Sequence, residues 1–244
     1  MASETPTWGL NVVERLSTTA QVLAELRGAI VSGRIGPGVH LREMTLAQTL
    51  GTGRSAIREA IRQLVQEGLV EYVLNRGAYV RRLTAEDCHD VYRAREVIEV
   101  SAVQWALARE PAPSLASLTA AFERIVAAAT SAPADQPASA QLIAADLDFH
   151  RELVWLSGSP RLSRAHETLA AEAQMLMHHQ PVYPLTDYAA DHTVLLETIA
   201  RRDPAAPERV RDHLRLSDEL IVSEIMRMSG VARDRGHPTG GEVR

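Results

Sequence analysis

The chain has no lysine; all 26 basic residues are arginine, so every fixed positive charge is a guanidinium. It has a single cysteine, Cys88, which excludes an intramolecular disulfide framework and any cysteine-built zinc cluster. A lone thiol can serve as a redox sensor, but Cys88 reads as a buried or incidental one. Aromatic residues make up 4% of the sequence, while alanine, leucine and valine are abundant, a composition suited to a close-packed helical bundle. No apolar run approaches membrane-spanning length, and the opening MASETPTWGL lacks a basic-plus-apolar signal, so no membrane partner and a cytoplasmic location are expected. Charge is uneven along the chain. Residues 1–83 hold ten arginines against seven acids, or +3, and residues 84–244 hold sixteen against twenty-four, or −8, which sum to the overall −5. A weakly basic head on an acidic body fits a local attraction for nucleic acid and argues against nonspecific coating of it.

The head carries the clearest pattern. Residues 41–82 read LREMTLAQTLGTGRSAIREAIRQLVQEGLVEYVLNRGAYVRR. A short helix leads into Gly51-Thr52-Gly53, where glycine permits a sharp reversal between helices. Beyond it Ile57, Ile61, Leu64 and Val65 recur at helical spacing and give one buried face. Arg54, Ser55, Ala56 and Arg58 stand at the start of this helix, with Arg62 and Gln63 a turn further on. Gly68 caps its C-terminus. Leu69–Val73 and Ala78–Arg81 then read as a hairpin with Arg76 at a basic tip. A basic amphipathic helix alone is usually a solvated surface helix. The complete order of helix, turn, helix and hairpin is a winged helix-turn-helix, which sets one helix against base edges and phosphates in the major groove.

On these residues the segment from about Thr18 to Leu83 resembles the DNA-binding domain of the GntR family of bacterial repressors. The likeness is carried by Leu26-Arg27-Gly28-Ala29-Ile30, Ser32 to Gly38, Leu46-Ala47, Arg54 with Ile57-Arg58-Glu59-Ala60-Ile61, Leu64, Glu67 to Val70, and Asn75-Arg76-Gly77. The resemblance implies operator contacts by Arg54 and Arg58 and a wing that enters the minor groove at Gly77. Three positions depart from the family pattern. Gly53 replaces the usual serine helix cap, which removes one capping hydrogen bond; Ala56 replaces a proline; and Met44 stands where some members have arginine.

From Thr84 onward the sequence is a run of helices, opening on Thr84-Ala85-Glu86-Asp87 as a cap with acids in the first turn. Helices are expected over about 85–109, 115–129, 139–156, 160–179, 187–201 and 207–228. Ser131 to Pro137 forms a connector, and Pro181 with Pro184 marks a loop. The expected architecture is mainly α: an extension at 1–17, a winged helix-turn-helix over 18–83, an all-α antiparallel bundle for metal, effector and dimerisation over 84–229, and a disordered tail over 230–244.

Within the bundle, Asp146 and His150 lie four apart and project from one helix face. His192 falls on the next-to-last helix and His213 on the last. Three imidazoles and a carboxylate suit a borderline divalent cation, and facing helices of bundles build such sites. Spacing alone is modest evidence, since an Asp-x-x-x-His pair is usually a surface ion pair. Residues 84–228 also resemble the FCD effector domain of the FadR subgroup. The matches are Arg95 with Glu99, Asp146 with Phe149, His150 and Leu153, Ser157-Gly158, His192 with Leu195, Ile199 and Asp203, and His213-Leu214. That resemblance implies a metal at Asp146, His150, His192 and His213, zinc first, with nickel, manganese or iron also suited to the set. Arg95 is the candidate clamp for a small carboxylate effector, its alternative being an intrahelical pair with Glu99. His89, His166, His178 and His179 read as helix-end histidines, and Trp105 and Trp155 as core aromatics. Ser159 stands where the family often has asparagine. The reading is therefore a homodimeric regulator, expected to repress, that binds a palindromic double-stranded operator under effector control. A metal sensor and, more remotely, a metalloenzyme are the alternatives; the sequence shows no companion base or nucleophile for the latter.

Overall fold

The computed structural model describes residues 18–131, 139–178 and 185–234, apart from the side chains of 185–187 and 229–234. The expected extension at 1–17, the connector residues 132–137, His179, the Pro181–Pro184 loop and tail residues 235–244 lie outside the described residues. The element order is α1 (Thr18–Val31), α2 (Glu43–Thr49), α3 (Arg54–Gln66), β1 (Val70–Val73), β2 (Gly77–Val80), then α4 (Ala85–Ala108), α5 (Ala116–Ser131), α6 (Ala140–Trp155), α7 (Pro160–Met177), α8 (Leu185–Ala200) and α9 (Ala206–Asp234).

The head is a three-helix unit with a wing. Ile57, Ala60, Ile61 and Leu64 recur at i, i+3, i+4 and i+7 along α3 and are fully buried, which seats α3 on α1. Full burial of each large side chain contributes about 1.5–3 kcal/mol against solvent exposure. As the glycine at position 53 implied, α3 starts without a side-chain cap. β1 and β2 pair antiparallel, with Val70 opposite Val80 and Val73 opposite Gly77. The reversal between them uses positive φ at Asn75 (60°) and Gly77 (99°), a region open to both residue types. Segment 38–41 adds backbone bonds along β2, and His40 stacks on Tyr79 with ring centroids 4.6 Å apart.

The body is all helical. The cap expected at its start is present and is a full capping box: Thr84 Oγ1 accepts from the Asp87 amide, and the Asp87 carboxylate accepts from the Thr84 amide. α4 packs against α6, α7 and α9, α5 against α6 and α8, and α8 against α9. Among the described residues, no helix is long and apolar enough to cross a membrane. One boundary differs from expectation: α9 continues to Asp234, past the anticipated end near Met228. A single glycine at 230 costs a helix only about 1 kcal/mol and does not stop it, and Val231-Ala232-Arg233 can continue the turn.

Head and body meet along α7. Arg81, just after the wing, ion-pairs with Asp87 at the start of α4 and with Glu172 on α7 (3.0 Å). His178, the C-cap of α7, bonds through Nε2 to the Val31 carbonyl at the end of α1. Burial pushes the Glu172 carboxyl up more than Arg81 pulls it down, so this acid depends on its arginine. Arg81→Ala should lower stability by about 1–2 kcal/mol, a charged hydrogen bond discounted for partial solvation. Its exposed neighbour Arg82→Ala should change stability by less than about 0.5 kcal/mol. Urea denaturation of the two variants checks the difference.

Candidate metal centre and nucleic-acid interface

The first turns of α3 present Arg54, Ser55 and Arg58 to solvent, while Ala56 is half-buried. Arg76 is exposed at the tip of the wing beside Gly77. The residues expected to read DNA thus occupy two surfaces, the exposed start of α3 and the wing tip. The structure adds a partner that the sequence reading did not single out. Glu43, opening α2, receives Arg58 through both Nε (3.1 Å) and Nη2 (2.8 Å), and its carboxylate lies 3.6 Å from Arg54 Nη2.

In the body, α6 supplies Asp146 and His150, α8 supplies His192, and α9 supplies His213. One ligand-capable atom from each lies within 4.8 Å of the other three. The first three residues are buried and His213 is half-buried. His192 Nε2 stands 3.0 Å from Asp146 Oδ1, and His150 Nε2 3.9 Å from the same oxygen. The His192 and His213 rings meet edge to face at 4.7 Å, and those of His150 and His213 stack at 5.2 Å.

The other ring nitrogens are occupied in a way that fixes which atoms face the centre. His192 Nδ1 bonds to the Tyr188 carbonyl one turn back (2.9 Å), and His150 Nδ1 bonds to Glu99 Oε2 on α4 (2.6 Å). Such outer bonds set the tautomer and raise the basicity of the opposite nitrogen. His192 Nε2 is buried and close to Asp146 Oδ1 but makes no well-aligned hydrogen bond to it or to any other described residue, an arrangement that a cation between the two would satisfy. Burial opposes ionisation of Asp146, but His150 and His192 outweigh it and hold the carboxyl below its usual range. Burial, reinforced by His192 and His150, holds the His213 imidazole well below its ordinary value and therefore neutral, the form that ligates. Tyr188 donates its hydroxyl to Asp146 Oδ1 at 2.6 Å. The donor set, its protonation and the unbonded His192 nitrogen all fit a divalent transition-metal ion.

Glu99, expected from the sequence only to pair with Arg95 along its own helix, is the hub behind this centre. It is fully buried and receives Arg95 Nε (2.9 Å), His150 Nδ1 and His166 Nε2 (3.0 Å). Burial alone would protonate it; Arg95, His150 and His166 hold it well below the carboxylate range instead. Arg95 is itself buried, with its guanidinium 5.0 Å from the Tyr92 ring, and its Nη2 has no hydrogen-bond partner among the described residues. The intrahelical pair with Glu99 is therefore made, and a donor remains for a further acceptor. A pocket of about 250 Å³, lined by Asp191, Leu195, Arg209, Asp212 and His213 among others, reaches the centre at the α8–α9 seam.

Several bland readings need correction. His166 is not a helix-end residue: it lies in the middle of α7, buried, because Glu99 offers it an acceptor. His89 lies near the N-terminal end of α4, where the helix dipole disfavours a cation, and is held by Asp218 Oδ2 at 2.6 Å. His178 does sit at a helix C-terminus, but its contact is with the head. Trp105 and Trp155 are each 53% exposed instead of core; the buried positions of their helices are filled by smaller aliphatic residues such as Val103, Ala106, Leu153 and Val154. Cys88 is fully buried, and burial together with Asp218 pushes its thiol up, which makes it an unreactive thiol.

A winged helix-turn-helix joined to an all-helical body is the architecture of a DNA-binding transcriptional regulator. The chain belongs to the GntR family and carries its FCD domain. Residues 18–80 match the profile described as bacterial regulatory proteins, gntR family, and residues 90–216 match that of the FCD domain. A probable D-xylose utilization operon transcriptional repressor of Paenarthrobacter nicotinovorans is 29% identical over 200 residues, 82% of this chain and 86% of that protein. The gluconate operon transcriptional repressor of Bacillus licheniformis is 38% identical over 87 residues, 36% of this chain and 35% of its own length. Among solved structures, a GntR transcriptional regulator from Rhodococcus sp. RHA1 superimposes with a TM-score of 0.71 at 26% identity, covering 85% of this chain and 99% of that one.

Proposed function

We propose that the protein is a homodimeric repressor that releases or holds a palindromic operator according to a small carboxylate bound at a metal in the body. Residues 18–83 serve as the DNA head and residues 84–229 as the metal, effector and dimerisation body. Arg54, Ser55, Ala56 and Arg58 read the major groove, and Arg76 with Gly77 enters the minor groove. Asp146, His150, His192 and His213 hold a divalent ion, with zinc the first choice. The observation that carries this reading is the buried Nε2 of His192, close to Asp146 yet without a hydrogen bond among the described residues, inside a cluster of four side chains that could hold an ion. When bound, the ion would supply a Lewis-acid anchor for a carboxylate; Glu99 orients the His150 ring, and the Tyr188 carbonyl that of His192. Arg95 Nη2 offers the same carboxylate a second, charge-assisted contact. The repressor names of the relatives support the sign of control. α7 supplies a route for coupling, since it touches Glu99 through His166 and the head through Glu172 and His178.

The test is a melting screen of metal-loaded protein against small organic acids, gluconate included, and D-xylose, each repeated after chelation. A ligand at a hundred times its Kd adds about 2.7 kcal/mol, enough for a shift of a few degrees. A shift with one acid that chelation abolishes is the expected result. Arg95→Ala should lose the acid's shift and keep the chelation-sensitive one; an unchanged acid shift in Arg95→Ala rules out the clamp. If metal alone stabilises and no acid shifts the melt, the ion is structural or is itself the signal, and the effector reading loses its support.

A further inference from the structure

The two arginines expected to read the operator are not free in the folded head. Glu43 stands at the start of α2, across the helix-turn-helix turn from α3, and takes Arg58 by two bonds, at Nε (3.1 Å) and Nη2 (2.8 Å). Its Oε2 is also 3.6 Å from Arg54 Nη2. The carboxylate side chain is only 26% exposed while those of Arg54 and Arg58 are 63% and 46% exposed, so the acid sits beneath the arginines and they face outward. The geometry of the guanidinium decides what this pairing does. A guanidinium has five N–H groups in a rigid plane. The Nε–Nη2 edge of Arg58 is spent on Glu43. The other edge, formed by Nη1 and the second hydrogen of Nη2, remains. That edge has the two parallel donors that match guanine O6 and N7 in the major groove.

We infer that Glu43 is a positioning residue for operator recognition: it holds Arg58 by its side edge so that the end edge is presented, already oriented, to a guanine of each half-site. This rests on the proposed reading of α3 as the recognition helix. The same carboxylate lowers the attraction of the head for DNA in general, because it offsets one positive charge at the surface that meets the phosphates. Specific and nonspecific binding are therefore tuned in opposite directions by one side chain. Free arginines would bind any duplex more tightly; a tethered one discriminates.

The experiment uses the full-length chain and a random-sequence duplex library, from which the wild-type protein selects its site. Binding of wild type, Glu43→Gln, Arg58→Ala and the double variant is then measured on that selected duplex and on a scrambled one, over a salt series. Glu43→Gln should bind the scrambled duplex more tightly, with a salt dependence steeper by about one phosphate. It should bind the selected duplex more weakly, so that preference falls by about tenfold, and its own selection should lose a guanine in each half-site. In the Arg58→Ala background the same substitution should leave preference unchanged, since the group it positions is gone. An unaltered melting temperature for Glu43→Gln excludes loss of fold as the cause. Equal changes on both duplexes, or the same loss of preference without Arg58, overturn the inference while leaving the recognition helix in place. If Arg58→Ala itself binds the selected site as wild type does, the reading of α3 fails, and this inference with it.

Discussion

Glu99→Ala is expected to destabilise the protein by about 3–5 kcal/mol, the cost of leaving a buried charge without its partner. The reason lies in what the carboxylate holds. Arg95 is 2% exposed, its Nε donates to Glu99, and its Nη2 has no acceptor among the described residues, so removal of the carboxylate strands a guanidinium in the bundle interior. His150 and His166 lose acceptors in the same step. For a chain of this size the loss corresponds to a fall of roughly 6–20 °C in melting temperature. A second effect separates Glu99 from an ordinary core residue. Without it the His150 ring is no longer fixed with Nε2 toward Asp146, and metal affinity should fall by about 10–100-fold. Calorimetric titration of metal into Glu99→Gln, which keeps the volume and one acceptor, tests this at smaller cost in stability. Unchanged metal affinity in Glu99→Gln would show that His150 is oriented by packing alone.

Different parts of this molecule were legible in the sequence to different degrees. The head was readable because its determinants are local. Gly51 and Gly53 mark the turn, the Ile57–Leu64 spacing marks the buried face of α3, and Asn75 to Gly77 marks the wing reversal. The ends of α4 to α8 also followed from caps and prolines, while α9 outran its expected end because glycine weakens a helix without ending it. The candidate metal quartet was only partly readable. Helical spacing places Asp146 beside His150, but nothing in spacing brings His192 and His213 to them; the family resemblance did that. The bonds of Glu99 to His150 and to His166 escaped because they span 51 and 67 positions and leave no periodic trace. The pairing of Glu43 with Arg58 crosses a turn and was equally silent. Trp105 and Trp155 were misassigned because size and hydrophobicity say that a side chain can be buried, not which face of its helix meets a neighbour.

Metal should stabilise the body strongly, and the effect should vanish with one ligand. At a free concentration a thousand times its Kd, a bound ion adds about 4 kcal/mol, or roughly 8–16 °C for a chain of this length. Chelated protein titrated with zinc should show that rise, and nickel or manganese should show smaller or larger ones according to their affinity for nitrogen ligands. His192→Ala should remove it. His192 supplies a buried ring nitrogen that lies beside Asp146 and makes no hydrogen bond among the described residues, so the variant removes one ligand from the centre. In the absence of metal the variant should melt below the chelated parent, since the buried Asp146 carboxylate loses a neighbouring imidazole together with the packing of the ring, so the readout is the zinc-dependent rise and not the starting melt. Arg54→Ala gives the complementary result, with the metal-dependent rise intact and operator affinity weakened about 5–150-fold. Thermal melts with and without zinc, paired with gel-shift titrations on the selected duplex, read both arms. Loss of basal DNA binding to the same extent in His192→Ala and Arg54→Ala would show that the centre builds the head's binding surface; separate losses assign it to the control of a head that binds DNA by itself.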